Sequence, residues 1–421
     1  MKYVFSKVVE TMHADYAGST DKRGWDDPER YRKELNDQPL CREQFTNVVK
    51  DYLLDFEDPH LFFVDRKQKA VGQKDRGFQL RRFKDELFVT HVGREQRVVK
   101  GDRFIRLDDT PVHIVKQTYN RLLRNETAER ENWSKVLPYV QSGTFIDQEG
   151  AERTIEFTNY PSEPPVAVHA VQSLDQDIAL ITLTDFANPN DVHDLLKRER
   201  ESLSKKKKWI FDVRVNHGGS DASFHPLLDY VMPIEGVELY DESEMSQYFC
   251  TENNTDRMVH FLHEQLESVE DPGTVDVLTF VIREWERHRG AGFVDFDHQQ
   301  VLPNTFIRGR SDGPEHIVLL TDVMCGSSGD SFVEVCKKSS KVTVMARATL
   351  GLNDYANIVT EDVGEGFELM YATSRLKRID EGKGMTGVGI VPDIHIPWTP
   401  DHIHTDVDLH RAIQFLNKSF N

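Results

Sequence analysis

The stretch HIVLLTDVMCGSSGDSFVEVCKK, His316 to Lys338, decides how this 421-residue chain is read. An apolar run, Ile317 to Leu320, breaks off into small residues, and a helical pattern follows. In an α/β sheet, reactive groups collect where strands end and helices begin. Gly326 is expected to take a positive φ, so that a sharp turn pushes Ser327 outward. The helix beyond it aims free N–H groups and the positive end of its dipole at the same spot. Such a joint presents a hydroxyl beside ready-made oxyanion donors. The same residues also suit a plain helix cap by Ser327 or Ser328, and this stretch alone leaves both readings open.

Further short, dense apolar runs share this grammar: IALITL (178–183), WIFDV (209–213) and VTVMA (342–346). They alternate with helical segments such as PNDVHDLLKRERESL (189–203), which predicts an α/β core with a mostly parallel sheet covered on both faces. Residues 1–68 read as a helical region, with apolar residues at three- and four-residue spacing in REQFTNVVKDYLLDF (42–56). Residues 69–160 read as short strands with one helix. Residues 161–421 form the core, interrupted at about 240–300 by an acidic, mostly helical insertion.

Two more stretches stand out. In WIFDVRVNHGGSD (209–221) a strand ends at Asp212, and Gly218 and Gly219 follow. Adjacent glycines let the backbone approach a ligand and point N–H groups at an anion; a plain tight turn is the bland alternative. In DFEDPHLFF (55–63), His60 follows the helix-breaking Asp58-Pro59 pair. A neutral imidazole is the usual base for a serine hydroxyl, although a histidine among aromatics is commonly packing, and the chain holds 17 histidines.

In this order the stretches resemble peptidase family S41, which includes the C-terminal processing proteases and the tricorn protease core. HADYAGSTDKRGWDDPERYRKEL (13–35) is similar to the helical N-terminal region. VVKGDRFIRLDDTPV (98–112) is similar to the turn and strand of the PDZ-like domain. IFDVRVNHGG matches the D-x-R-x-N-x-G-G segment, CGSSGDSF the nucleophile segment with Asp330 at its acidic position, and GVGIVPDIHI (387–396) the closing segment. The resemblance implies a crotonase-like or ClpP-like core, Ser327 as nucleophile, and an oxyanion hole from the backbone N–H of Ser328 and of Gly218 or Gly219. It implies no metal and no cofactor.

Two departures matter. Ser–Lys members place a lysine in the segment that here reads ARATLGLNDY (346–355), where Leu352 stands instead. The tricorn-like branch uses a histidine from the end of the N-terminal region, which His60 matches. That branch also carries a glutamate where this chain has Thr386, and a threonine cannot stabilise an imidazolium by charge. Asp58 and Asp354 are the candidate substitutes. The expected function is serine peptidase action on peptides or on unfolded or tagged proteins. The alternative is a non-catalytic peptide- or ligand-binding member of the same fold.

Composition bounds the partners. A formal charge of −19 argues against nucleic acid, since phosphate contacts need clustered Lys and Arg. The run Lys205–Lys208 is short enough for a solvated loop. Four scattered cysteines suggest neither a zinc site nor a disulfide framework. The N-terminus lacks the apolar core of a signal peptide, and no run is long enough to span a membrane, so a cytoplasmic location is expected. No G-x-S-x-G, P-loop or dinucleotide fingerprint is present. The oligomeric state is not legible.

Overall fold

The computed structural model describes residues 1–37, 39–69, 74–123, 127–161, 165–267, 269, 272–300 and 305–419. The chain forms two units, each built from separated segments. Met1–Val71, Glu238–Phe306 and Leu352–Thr386 make the first; Gly72–Val237, Ile307–Gly351 and Gly387–Asn421 make the second.

In the first unit, helices form at Lys2–Ala14, Pro28–Asp37 and Arg42–Leu53, the last within the stretch whose apolar spacing predicts one. Their inner faces bury Val4, Phe5, Val8, Met12, Phe45, Val49 and Tyr52. The rings interlock edge to face, Phe5 on Tyr52 at 5.2 Å and Phe45 on Phe367 at 5.2 Å. Each such side chain contributes roughly 1.5–3 kcal/mol by leaving water. The helices cover an antiparallel sheet whose centre is the hairpin Tyr355–Gly364 and Phe367–Leu376. Glu365 and Gly366 both take positive φ at its turn, the geometry that matches the twist of a two-residue hairpin loop. Strands Phe62–Asp65 and Ser246–Cys250 pair with the far edge of Phe367–Leu376, and Gly292–Asp295 pairs with Ser246–Cys250.

Between those last two strands run helices Glu252–Glu267 and Pro272–Arg287. The stretch expected as a helical insertion is therefore framed by sheet strands, and Met258, Leu262, Ile282 and Trp285 belong to the unit's core. SQYFC and GFVD are too short to announce a strand by alternation.

The second unit holds two larger sheets. One is antiparallel, ordered Phe78–Phe83, Glu86–Val92, Arg103–Leu107, Ser142–Ile146 and Glu152–Glu156, with helix Val112–Thr118 against it. Its core stacks Phe78 on Phe104 at 5.5 Å and buries Trp133 completely. The other sheet runs His169–Ser173, Ile178–Leu183, Lys208–Asp212, His316–Thr321, Val342–Ala346 and Ile394–His395. Its first pairing is antiparallel and the rest are parallel. Helices Pro189–Leu203 and Ser328–Lys337 supply crossovers between parallel strands.

Outside this sheet one isolated parallel bridge is described, Phe186 to Gly219. The sheets around Phe367–Leu376 and around Arg103–Leu107 are antiparallel, so a mostly parallel architecture does not describe the chain as a whole; its α/β content is mixed. The apolar runs behind that expectation all belong to the one parallel sheet. A hairpin such as the one that Lys84–Asp85 closes leaves no length for a crossover.

A buried chain of charges ties the second unit's two sheets together. Arg81, from the antiparallel sheet, grips Asp322 through both oxygens at 2.7 and 2.8 Å. Asp322 also accepts from Arg347 at 2.9 Å, and Arg347 passes to Asp408 at 2.6 and 2.8 Å. Asp408 accepts from Arg214, which forks onto Asp212 and Asp406. Burial alone would raise the Asp322 carboxyl, but Arg81 and Arg347 outweigh it and hold it well below the usual carboxylate range. Among the described residues no helix is long and apolar enough to cross a membrane.

Candidate active site

Four of the predicted site residues, Ser327, Ser328, Gly218 and Gly219, lie in the second unit at the C-terminal ends of parallel strands. His60 belongs to the first unit, as do Asp58, Asp354 and Thr386.

Strand His316–Thr321 ends, and helix Ser328–Lys337 starts seven residues later. Ser327 occupies the N-cap. Its hydroxyl faces the Asp330 N–H, while the Asp330 carboxylate accepts the Ser327 N–H at 2.9 Å. The capping arrangement anticipated as the bland reading is therefore present. It does not account for the backbone: Ser327 has φ 57° and ψ −123°. Caps ordinarily sit in the extended region, and a non-glycine residue held in so sparsely populated a region costs about 1–3 kcal/mol. The half-buried Ser327 makes this strained turn at a strand-to-helix joint, a backbone like that of a nucleophile elbow. The expectation for Gly326 needs correcting: it is absent from the positive-φ residues, and Ser327 itself makes the turn. Gly326 is instead pinned by its N–H to the Asn216 carbonyl at 3.0 Å.

Asp330, fully buried, also accepts the Gly351 N–H at 3.0 Å, so one carboxylate fixes the elbow to the segment after strand Val342–Ala346. Asn216, equally buried, donates to the Leu183 carbonyl at 3.0 Å and accepts the Gly218 N–H at 2.9 Å. Gly218 packs so closely that a Cβ there would lie 2.7 Å from both the Gly326 oxygen and Ser327 Cβ. A Cβ on Gly219 would lie 2.2 Å from the Phe186 carbonyl carbon and oxygen. Both glycines are required by close approach. With the Gly218 N–H committed to Asn216, the donors without a partner among the described residues are the Gly219 N–H and the Ser328 N–H. Of the two glycines that the sequence offers as alternatives, Gly218 has its N–H bonded to the Asn216 side chain. Next to this turn, a cavity of about 490 Å³ is lined by Arg76, Phe78, His91, Leu137, Pro161 and His217, among others.

In the first unit, helix Arg42–Leu53 runs into a 3₁₀ turn, Leu54–Phe56, that Glu57 closes at φ 48°. Asp58 then accepts the His60 N–H at 2.8 Å, an Asx turn, and its other oxygen accepts the Tyr16 hydroxyl at 2.7 Å. The buried His60 ring places Nδ1 2.6 Å from the Tyr355 carbonyl oxygen. A carbonyl only accepts, so Nδ1 carries the proton, and in the neutral ring Nε2 carries the lone pair. That is the tautomer of a general base. Burial first, then Asp58, pushes the Tyr16 phenol well above its ordinary range and keeps it a donor.

Asp354 is spent elsewhere. It accepts the Met385 N–H at 2.8 Å and the Thr386 N–H and hydroxyl, each at 2.7 Å. Thr386 thus turns to Asp354, and the ring's hydrogen-bond partner is a backbone carbonyl. No side-chain pattern could have announced Tyr355 in this role, because the acceptor is a main-chain atom. Leu352, Asn353 and Asp354 precede it in the segment where the Ser–Lys pattern would have a lysine.

Comparison with known proteins supplies the lineage. No curated protein matches the chain. Among solved structures, mature CPAF aligns over 99% of this chain and 97% of its own at 14% identity, with a TM-score of 0.67. Mature CPAF complexed with lactacystin aligns over 99% and 96%, at 14% identity and a TM-score of 0.66. At that identity the likeness speaks for the fold alone. The family model for peptidase family S41 matches residues 177–396, more than half of the chain, from strand Ile178–Leu183 through the elbow to Ile394–His395. On that match the chain belongs to peptidase family S41, and it is a serine-type peptidase.

Proposed function

We propose that this peptidase cleaves peptide bonds with Ser327 as nucleophile and His60 as its base. The observation that carries the reading is the backbone of Ser327, held at positive φ where a cap alone needs no strain. Ser327 Oγ attacks the scissile carbonyl carbon. His60 Nε2 takes the hydroxyl proton and returns it to the leaving amine, which departs with an acyl-enzyme left on Ser327. Water, deprotonated by the same nitrogen, then releases the acid. The oxyanion rests on the Gly219 and Ser328 N–H groups. Substrates are extended peptides or unfolded protein segments. The antiparallel sheet of residues 78–156 acts as a PDZ-like holder, and the cavity at His217 supports a binding path toward Gly219. The reading places the enzyme in the cytoplasm.

A fluorophosphonate probe tests this. Labelling of the wild type that Ser327→Ala and His60→Ala each abolish is the expected result. A folded sample that takes no label returns the chain to the binding-only reading, which the neutral carbonyl on His60 Nδ1 favours.

A further inference from the structure

Thr386 stands where the resemblance to the tricorn-like branch implies a glutamate, and the first unit holds a carboxylate in another place. We infer that Asp58 is a positioning residue that supplies the negative charge for His60, a role that rests on His60 being the base. Three observations meet here. Asp58 is buried, with 1% of its surface exposed. It is bonded to His60 itself, through the main-chain N–H at 2.8 Å. Both hydrogen bonds it accepts, from that amide and from the Tyr16 hydroxyl, come from neutral donors, so neither neutralises its charge.

The relay is thereby divided between two groups. The Tyr355 carbonyl sets the tautomer and the ring's direction. Asp58 provides the charge that favours the imidazolium as it forms. In a buried setting a carboxylate two residues away in the chain acts strongly on such a cation, because little water screens it. Other charged groups of the unit gather at the same place. Asp21 accepts the Tyr355 hydroxyl at 3.2 Å, and Asp354 adjoins Tyr355 in the chain. Lys22, itself buried, lies 4.2 Å over the Tyr355 ring and opposes them. Among these carboxylates, Asp58 is the one bonded to the His60 residue.

The plain alternative is that Asp58 only closes the Asx turn. Asp58→Asn separates the two roles. An asparagine still accepts the His60 N–H and can donate to the Tyr16 oxygen, so the turn survives and only the charge goes. The second-order rate of fluorophosphonate labelling is measured from pH 5 to 9, with thermal melting as the fold control. The expected result is a roughly 10- to 100-fold slower limiting rate. The midpoint of the pH profile moves to lower pH, because a ring without its neighbouring anion loses its proton more easily. Wild-type rate and midpoint in a folded Asp58→Asn protein overturn the proposal. Should that variant melt early, Tyr16→Phe decides: it keeps the charge and removes only a donor. Labelling within about threefold of wild type supports the charge role; a loss as large as that of Asp58→Asn shows that packing is what Asp58 provides. Wild-type labelling of His60→Ala would instead remove the base assignment on which all of this stands.

Discussion

The turn around Ser327 is held by its own backbone and by glycines with no room for a side chain. The turn around His60 is held by side chains and by a carbonyl 295 residues along the chain. In the first, precision comes from strain and close approach: φ 57° at Ser327, and 2.7 Å between a Cβ on Gly218 and Ser327 Cβ. In the second it comes from hydrogen bonds to buried acceptors, and of the residues described near His60 Glu57 is the one with positive φ. The contrast suits the two chemical roles proposed for these residues. A nucleophile must project a hydroxyl beside donors, which asks for an unusual backbone. A base must keep one tautomer, which asks only for a fixed acceptor.

The charge chain behind the elbow is the largest lever on this contrast. Asp322→Asn leaves Arg81 and Arg347 facing a neutral amide in a buried site, and is expected to cost about 3–5 kcal/mol, measured by denaturant unfolding. Wild-type stability would show that close packing alone carries the elbow. The same carboxylates set an acid limit. Asp322 and Asp408 are both held well below the usual range: in each, burial alone would raise the group, and the arginines around both, with His402 at Asp408, overcome it. A depressed folded-state pKa means stability that is complete above the unfolded-state value near 4. It is lost as pH falls from there toward the folded-state values. Unfolding free energy is therefore expected to hold steady from about pH 7 to 5 and to drop below about pH 4. In Asp322→Asn, part of that drop disappears.

Gly219→Ala probes the close approach. Its Cβ meets the Phe186 main chain at 2.2 Å and the residue holds φ 143°. A cost of about 2–4 kcal/mol is expected, together with loss of probe labelling as the N–H is displaced. An unchanged melting temperature would break the claim that packing sets this turn.

The smallest effect is the most diagnostic in sign. Ser327→Gly relieves the positive φ, and glycine replaces a capping serine at a cost of only a few tenths of a kcal/mol. The variant is expected to be about 1 kcal/mol more stable than Ser327→Ala, which keeps the strain and loses the cap. If the two variants unfold together, Ser327 is not strained.

Much of the Ser327 side was legible because its determinants are local. A strand, small residues and a helix adjoin in the chain, and the glycines stand next to each other. The error there was local too: the positive φ belongs to Ser327 and not to Gly326, since Gly326 is already committed to the Asn216 carbonyl. On the His60 side the order of motifs singles the residue out, but it does not point to its acceptor. The expected carboxylate relay was sought among side chains at Thr386, Asp58 and Asp354, and the ring's bond goes to main chain.

The sequence by itself determined the apolar strands of the parallel sheet, the helices with clear apolar spacing, and which family the order of motifs resembles. These depend on periodicity and residue type over short spans. Only the tertiary structure decided that Asn216 consumes the Gly218 N–H, that Thr386 turns to Asp354, and that Tyr355 fixes the imidazole. The physical reason is that a hydrogen bond is set by direction and distance between atoms the fold brings together. A backbone carbonyl, carried by every residue, leaves no mark in the order of letters.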